Sequence, residues 1–162
     1  MTTGIHLMAL WQEGRTRFTN ILPEISDIDL KKKLLPAPNS VGFIIRHVGD
    51  VEFLFAKNVF RLPDLEVHAK TVIAQKDTGE WINLNELVSY ITQSGQVLKK
   101  AIESQLDDDW AQSITTKEFG TKTKAESLGR IITHTAYHAG QLKLILKYGS
   151  LLGIDKINLQ FY

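Results

Sequence analysis

The chain contains no cysteine. Its fold therefore rests on packing rather than disulfides, no thiolate is available to ligate a metal, and any thiol chemistry must bring its thiol from outside. An excess of charge is missing as well: 19 Lys and Arg stand against 18 Asp and Glu, well mixed along the chain, for a formal charge of +1. That balance leaves no electrostatic footprint for nucleic acid. No apolar run approaches the roughly 20 residues that a spanning helix needs, and nothing reads as a signal peptide. No membrane association and a cytoplasmic location are the expectation. Internal repeats and low-complexity tracts are also missing. At 162 residues the chain has the length of a single domain, 1–162, able to bury about two thirds of its unfolded surface.

What is present is helical periodicity, four times over. Ile5, Met8, Trp11, Arg15, Phe18 and Leu22 share one face and predict a helix from about Thr3 to Leu22, stopped by Pro23, with Trp11 and Phe18 as core anchors. Val41, Ile44, Val48, Val51, Phe55 and Val59 predict a second, capped by Asn39 or Ser40 and running to about Arg61. Leu84, Leu87, Val88, Ile91, Leu98, Ala101, Ile102 and Leu106 predict a third, capped by Asn83 or Asp77, whose interior Gly95 costs about 1 kcal/mol and suggests a close helix contact. The last opens on the capping box Thr123-Lys124-Ala125-Glu126 and ends at Tyr148-Gly149. Residues 63–81 have no clear period, which inside a bundle points to a crossover or a functional loop. The alternation from Ile114 to Gly120 predicts at most a short extended segment, too brief for a sheet. The apolar tail from Leu151 to Tyr162 is expected to pack back on the helices or on a second subunit, a homodimer. The fold class is all-α.

The chemistry concentrates in Thr133-His134-Thr135-Ala136-Tyr137-His138-Ala139-Gly140-Gln141. Histidines four apart lie on one side of a helix, where they can share an ion. His138 falls in the seam of Leu128, Ile131, Thr135, Leu142 and Ile145, with His134 at its edge; His47 lies on the inward flank of its own helix beside Ile44 and Val51. Packing the two seams brings three imidazoles together. Neutral imidazole suits zinc, nickel, iron or copper, and three such ligands leave a position open, the layout of a reactive site. The expected cofactor is a divalent transition metal, zinc or nickel ahead of iron or manganese.

Ring nitrogens turned away from the metal need partners. Gln141, beside both histidines on the wheel, is a candidate for contacting a ligand ring or the substrate. Asp50, three residues beyond His47, is a candidate for orienting a histidine or carrying a proton, with an ordinary solvated carboxylate as the alternative. Glu52 is turned away from His47. Arg46 and Tyr137 adjoin the ligands but point elsewhere on their helices. His6 and His68 read as surface residues, and Asp107-Asp108-Asp109 and Lys31-Lys32-Lys33 as solvated stretches.

Four amphipathic helices in this order, with Pro38-Asn39-Ser40-Val41-Gly42, Arg46-His47-Val48-Gly49-Asp50-Val51-Glu52 and the segment from Thr133 to Gln141, resemble the DinB/YfiT-like superfamily of metal-dependent enzymes. The resemblance covers nearly the whole chain. It implies a four-helix bundle with an up-down-down-up path and a long crossover between the second and third helices. It also implies that His47, His134 and His138 are the metal ligands. The activity it implies is a thiol-dependent S-transferase joining a low-molecular-weight thiol, as cosubstrate, to a small electrophile; thiol-dependent isomerisation belongs to the same family. The alternatives are a hydrolase using metal-bound hydroxide, with Asp50 or Glu52 as proton carrier, and a non-catalytic, stress-associated metal-binding protein.

Overall fold

Each of the four periodic stretches is a helix. The computed structural model describes residues 3–151. Among them are α1 (Thr3–Thr19), α2 (Val41–Asn58), the short α3 (Lys70–Ala74), α4 (Leu84–Glu103) and α5 (Lys124–Tyr148), together with β1 (Ser113–Thr116) and β2 (Gly120–Thr123). α2 packs against α4 and α5, and α1 against α5 and α4. The apolar stripes meet in two clusters. One gathers Phe18, Leu30, Val41, Ile44, Ile45 and Leu142, the other Trp11, Ala56, Leu98, Ile102, Leu128 and Ile131. Removing side chains this well packed costs several kcal/mol each, so the stripes predicted from spacing are what holds the helices together.

The caps follow the residue types. Ser40 Oγ accepts from Phe43 N at 3.2 Å and opens α2. Thr123 Oγ1 accepts from Glu126 N at 3.1 Å while Glu126 Oε2 accepts from Thr123 N at 2.7 Å, the reciprocal box that opens α5. Asn83 starts α4 by accepting from Glu86 N. Asp77, the other candidate there, instead accepts from Ser40 N at 2.9 Å and pairs with Lys33, tying the long connection to the start of α2.

The structure departs from expectation at the ends and in the connections. α1 stops at Thr19, and Leu22–Glu24 turns as a 3₁₀ helix that absorbs Pro23, whose missing N–H is harmless there. Ile5, expected inward, is 58% exposed. α2 ends at Asn58 because the chain reverses at Arg61, which has a φ of 56°. Leu106 leaves α4 and is 73% exposed, its N–H satisfied by Asp109 Oδ2 at 2.8 Å. The all-α expectation needs correction: β1 and β2 pair antiparallel, Thr116 facing Gly120 and Ser113 facing Thr123. Gly120, at a φ of 72°, supplies the left-handed residue that a three-residue hairpin loop requires, and Thr115 and Thr121 hydroxyls bond across the strands at 2.8 Å. Four residues per strand are too few for a period of two to stand out. The same brevity hid α3. Among the described residues no helix is long and apolar enough to cross a membrane. The expectation for the apolar tail falls, from residue 152 on, outside the described residues.

Candidate metal centre

α2 and α5 bring His47, His134 and His138 to one point. His134 Nε2 stands 3.2 Å from His47 Nε2 and 3.1 Å from His138 Nε2. Nitrogen ligands at roughly 2.0–2.1 Å in a tetrahedral site stand about 3.3 Å apart, so the spacing is that of an ion's ligand shell. Among the described residues this is the group of His, Asp and Glu side chains whose donor atoms converge closely enough to hold a metal.

The far side of two rings decides which nitrogen faces inward. Thr71, from α3, donates its hydroxyl to Asp50 Oδ2 at 2.8 Å, a carboxylate that can only accept. The Thr71 oxygen, 3.1 Å from His47 Nδ1, is then left as an acceptor, so the ring proton sits on Nδ1 and the Nε2 lone pair points into the cluster. Gln141 Oε1 does the same for His138 Nδ1 at 2.7 Å. Gln141 Nε2 in turn donates to Tyr137 Oη at 2.9 Å. His134 differs. Its Nδ1 is buried and has no partner. With a proton there, the buried N–H has no acceptor and three Nε2 lone pairs face one another; with the proton on Nε2, the buried Nδ1 lone pair has no donor, and an unsatisfied buried group of either kind costs about 1–3 kcal/mol. A cation among the three Nε2 atoms relieves the facing lone pairs, so the residues present fit a metal.

Burial holds all three rings in the ligating, neutral form. It lowers the His134 pKa to about 3, helped by the charges of His138 and His47. It lowers His138 to about 4, again with His47 contributing and the Gln141 bond opposing. Burial also lowers His47, against the pull of Asp50. Phe43 stacks on His47 at 5.7 Å between centroids, and the Tyr137 ring stands edge-on to His138 at 5.3 Å. The rings open on a cavity of about 340 Å³, walled by Phe43, Val51, Leu54, Phe55 and Val72, with Asn39, Thr71, Gln75 and Glu118 as its other polar lining.

The sequence-predicted residues divide clearly. The three histidines converge, and Gln141 stands behind His138 as one of its two anticipated roles required. Asp50 is fully buried, not a solvated carboxylate, and does not line the cavity. Its oxygens are taken by Arg46 Nε at 2.8 Å, Tyr90 Oη at 2.6 Å and both Thr71 donors, the Thr71 N–H also at 2.8 Å. Burial and that bond push the Tyr90 pKa up, so its proton stays in place. Tyr137, expected to point elsewhere, instead touches His138 and Gln141, because a residue adjoining a helical ligand can still reach the i+4 side chain. Arg46 does point elsewhere, onto Asp50 and the Tyr90 ring at 3.6 Å. His6 and His68 are exposed. Sequence reasoning missed Thr71 and Glu118, one on a helix too short to show a period and one in a hairpin loop. The only signal for Thr71 was the length of the connection that carries it.

Comparison with known proteins places the fold. The family model described as the DinB superfamily matches residues 10–142. No curated protein matches the chain. Among solved structures, the mycothiol-dependent maleylpyruvate isomerase superimposes with a TM-score of 0.69 at 18% identity, over 88% of this chain and 63% of that one. A histidine-to-alanine mutant of the same isomerase gives 0.68 at 18% identity, with the same coverage. The chain thus spans under two thirds of the length of those structures, and at that identity the likeness is one of fold.

Proposed function

The chain belongs to the DinB superfamily, and from that premise we propose that it is a metal-dependent enzyme acting on small molecules, with His47, His134 and His138 as the metal ligands. The observation that carries the reading is the convergence of three Nε2 atoms at 3.1–3.2 Å with two rings fixed from behind. A divalent transition metal bound there, zinc or nickel ahead of iron or manganese on the nitrogen donor set, supplies a Lewis acid that favours the deprotonated form of a thiol or water it holds.

The reaction class we favour is transfer of a low-molecular-weight thiol to an electrophile. Two things support it: the chain has no cysteine of its own to compete for the metal, and the isomerase that superimposes on it is mycothiol-dependent. In this reading His47, His134 and His138 hold the ion, while Thr71 and Gln141 hold the outer ring protons and keep each Nε2 turned inward. Asp50 and Gln141 are therefore positioning residues, acting through Thr71 and His138. The apolar walls from Phe43 to Val72 exclude water from the sulfur. The up-down-down-up helix path, a single domain over 1–162, a homodimer and the lack of nucleic-acid contact belong to the same proposal. A hydrolase using Asp50 or Glu52 as proton carrier has less support, since both carboxylates are buried and fully engaged elsewhere; Glu118, which lines the cavity, is the carboxylate such a reaction would have to use.

Elemental analysis of the purified protein and of His138→Ala tests the site: about one metal per wild-type chain and none in the variant is the expected result. Consumption of a small thiol together with chlorodinitrobenzene, dependent on metal, tests the reaction. Ester or amide cleavage with no thiol added would favour the hydrolase, and metal retention with neither activity would favour a binding protein.

A further inference from the structure

The cavity in front of the three histidines carries one formally charged side chain in its lining, Glu118, and among the described residues no Lys or Arg lines it. Arg46, on α2, is engaged with Asp50 and Tyr90, and Arg130, on α5, lies over the Phe119 ring at 5.1 Å. Glu118 itself has no ion-pair partner within 4.0 Å among the described residues. Its side chain is exposed, and its backbone is held through the residue that follows. It lies in the loop between β1 and β2, whose next residue, Phe119, packs on Phe55 of the cavity wall at 6.1 Å between centroids and donates its N–H to the Thr116 hydroxyl oxygen at 3.3 Å. The hairpin thus places a carboxylate at the edge of a chamber whose other lining side chains carry no formal charge.

We propose that Glu118 is a specificity-determining residue that selects substrates or cosubstrates bearing an amine or no charge, and disfavours those bearing a carboxylate, at the part of the molecule that lies against the hairpin. A carboxylate at the edge of the cavity attracts an ammonium group and repels an anion, the more so where the walls beside it are of low dielectric, and its exposure keeps both effects modest. Asn39 and Gln75, which also line the cavity, offer amides for neutral polar groups but no counter-charge for an acid. The choice of a thiol as probe rests on the function proposed above; the charge preference itself does not.

The test uses the cobalt-loaded protein and three thiols of matched length, cysteamine, mercaptoethanol and mercaptoacetate, with affinity read from the thiolate-to-cobalt absorption band. The metal's own charge acts on each probe equally in wild type and variant, so the diagnostic is the change in ratio on substitution. Glu118→Lys should weaken cysteamine and strengthen mercaptoacetate, each by about three- to tenfold, and leave mercaptoethanol and cobalt content unchanged. Glu118→Gln should move both charged probes in the same directions by less. Affinities for all three thiols that shift together, or not at all, would overturn the proposal. Should no thiol produce the band in either protein, the thiol reading fails by itself; the same charge series built on hydroxamates, which ligate through oxygen, then decides the role of Glu118 by the same criterion.

Discussion

His47 and Glu52 lie five residues apart on α2 and are both drawn into the protein, yet their surroundings follow opposite rules. Around Glu52 both carboxylate oxygens are matched. Arg15 donates to Oε1 at 2.7 Å and to Oε2 at 3.2 Å, Ser94 donates to Oε2 at 2.6 Å, and the spare Arg15 donor reaches Ile91 O at 2.6 Å. Gly95 leaves the space the guanidinium occupies, since a Cβ there would collide with it. The close contact suggested by Gly95 is therefore with a side chain from α1. Around His47 the matching stops halfway: the outer nitrogens of two rings are bonded, the inner three face each other, and one buried nitrogen of His134 has no partner. A closed polar cluster clamps helices together. An incomplete one, held equally firmly, is a place kept for something else.

The comparison breaks most completely at the histidines. His138→Ala should lose the metal and all metal-dependent activity while the chain still unfolds cooperatively, as followed by elemental analysis and circular dichroism; a variant that retains a full complement of metal sinks the assignment. At the other cluster the damage should fall on stability instead. Glu52→Ala leaves the Arg15 guanidinium buried without its partner and should cost about 3–5 kcal/mol in urea unfolding, toward the lower end because the Arg15 side chain keeps 16% exposure. Metal content per folded molecule should stay at the wild-type value, and a parallel loss of metal would show that the two clusters are one.

A smaller effect is expected behind the ring of His47. Thr71→Val keeps the shape but removes the acceptor that holds the Nδ1 proton, and metal affinity measured against a competing chelator should fall about 10- to 100-fold. No change would mean that the hydroxyl does not set the tautomer. The gentlest probe is pH on the metal-free protein. The unfolded rings take up protons below 6.5, whereas folded His134 and His138 resist until about 3 and 4. The unfolded state therefore binds more protons in that window, and stability that is complete above 6.5 is lost progressively as pH falls. Thermal melts from about pH 7.5 to 6 should show the onset of that slope, and Glu52→Ala should keep it. A flat profile would mean that the rings are not shielded as the geometry implies.

What could be read from the sequence was whatever repeats along a helix or sits at its end. The seams of α2 and α5, the caps Ser40 and Thr123 with Glu126, and the three histidines all follow from spacing within one segment. What could not be read was the identity of partners contributed by distant segments. A helical wheel turned Glu52 away from His47, correctly, but could not supply Arg15 and Ser94 to receive it. The same wheel set Asp50 off the seam without revealing that Arg46, Tyr90 and Thr71 would enclose it there. Thr71 and Glu118 lie in stretches too short for any period to register, and both border the cavity.

One feature of α3 reaches beyond affinity. The residue that orients His47 sits in a five-residue helix, anchored to Asp50 by its own N–H and hydroxyl. Transient fraying of that short turn would free one imidazole to rotate while the long helices stay folded. If the proposed ion binds there, the speed of its exchange with the surroundings should track breathing of the connection between α2 and α4, making metal exchange a clock for local motion in that segment.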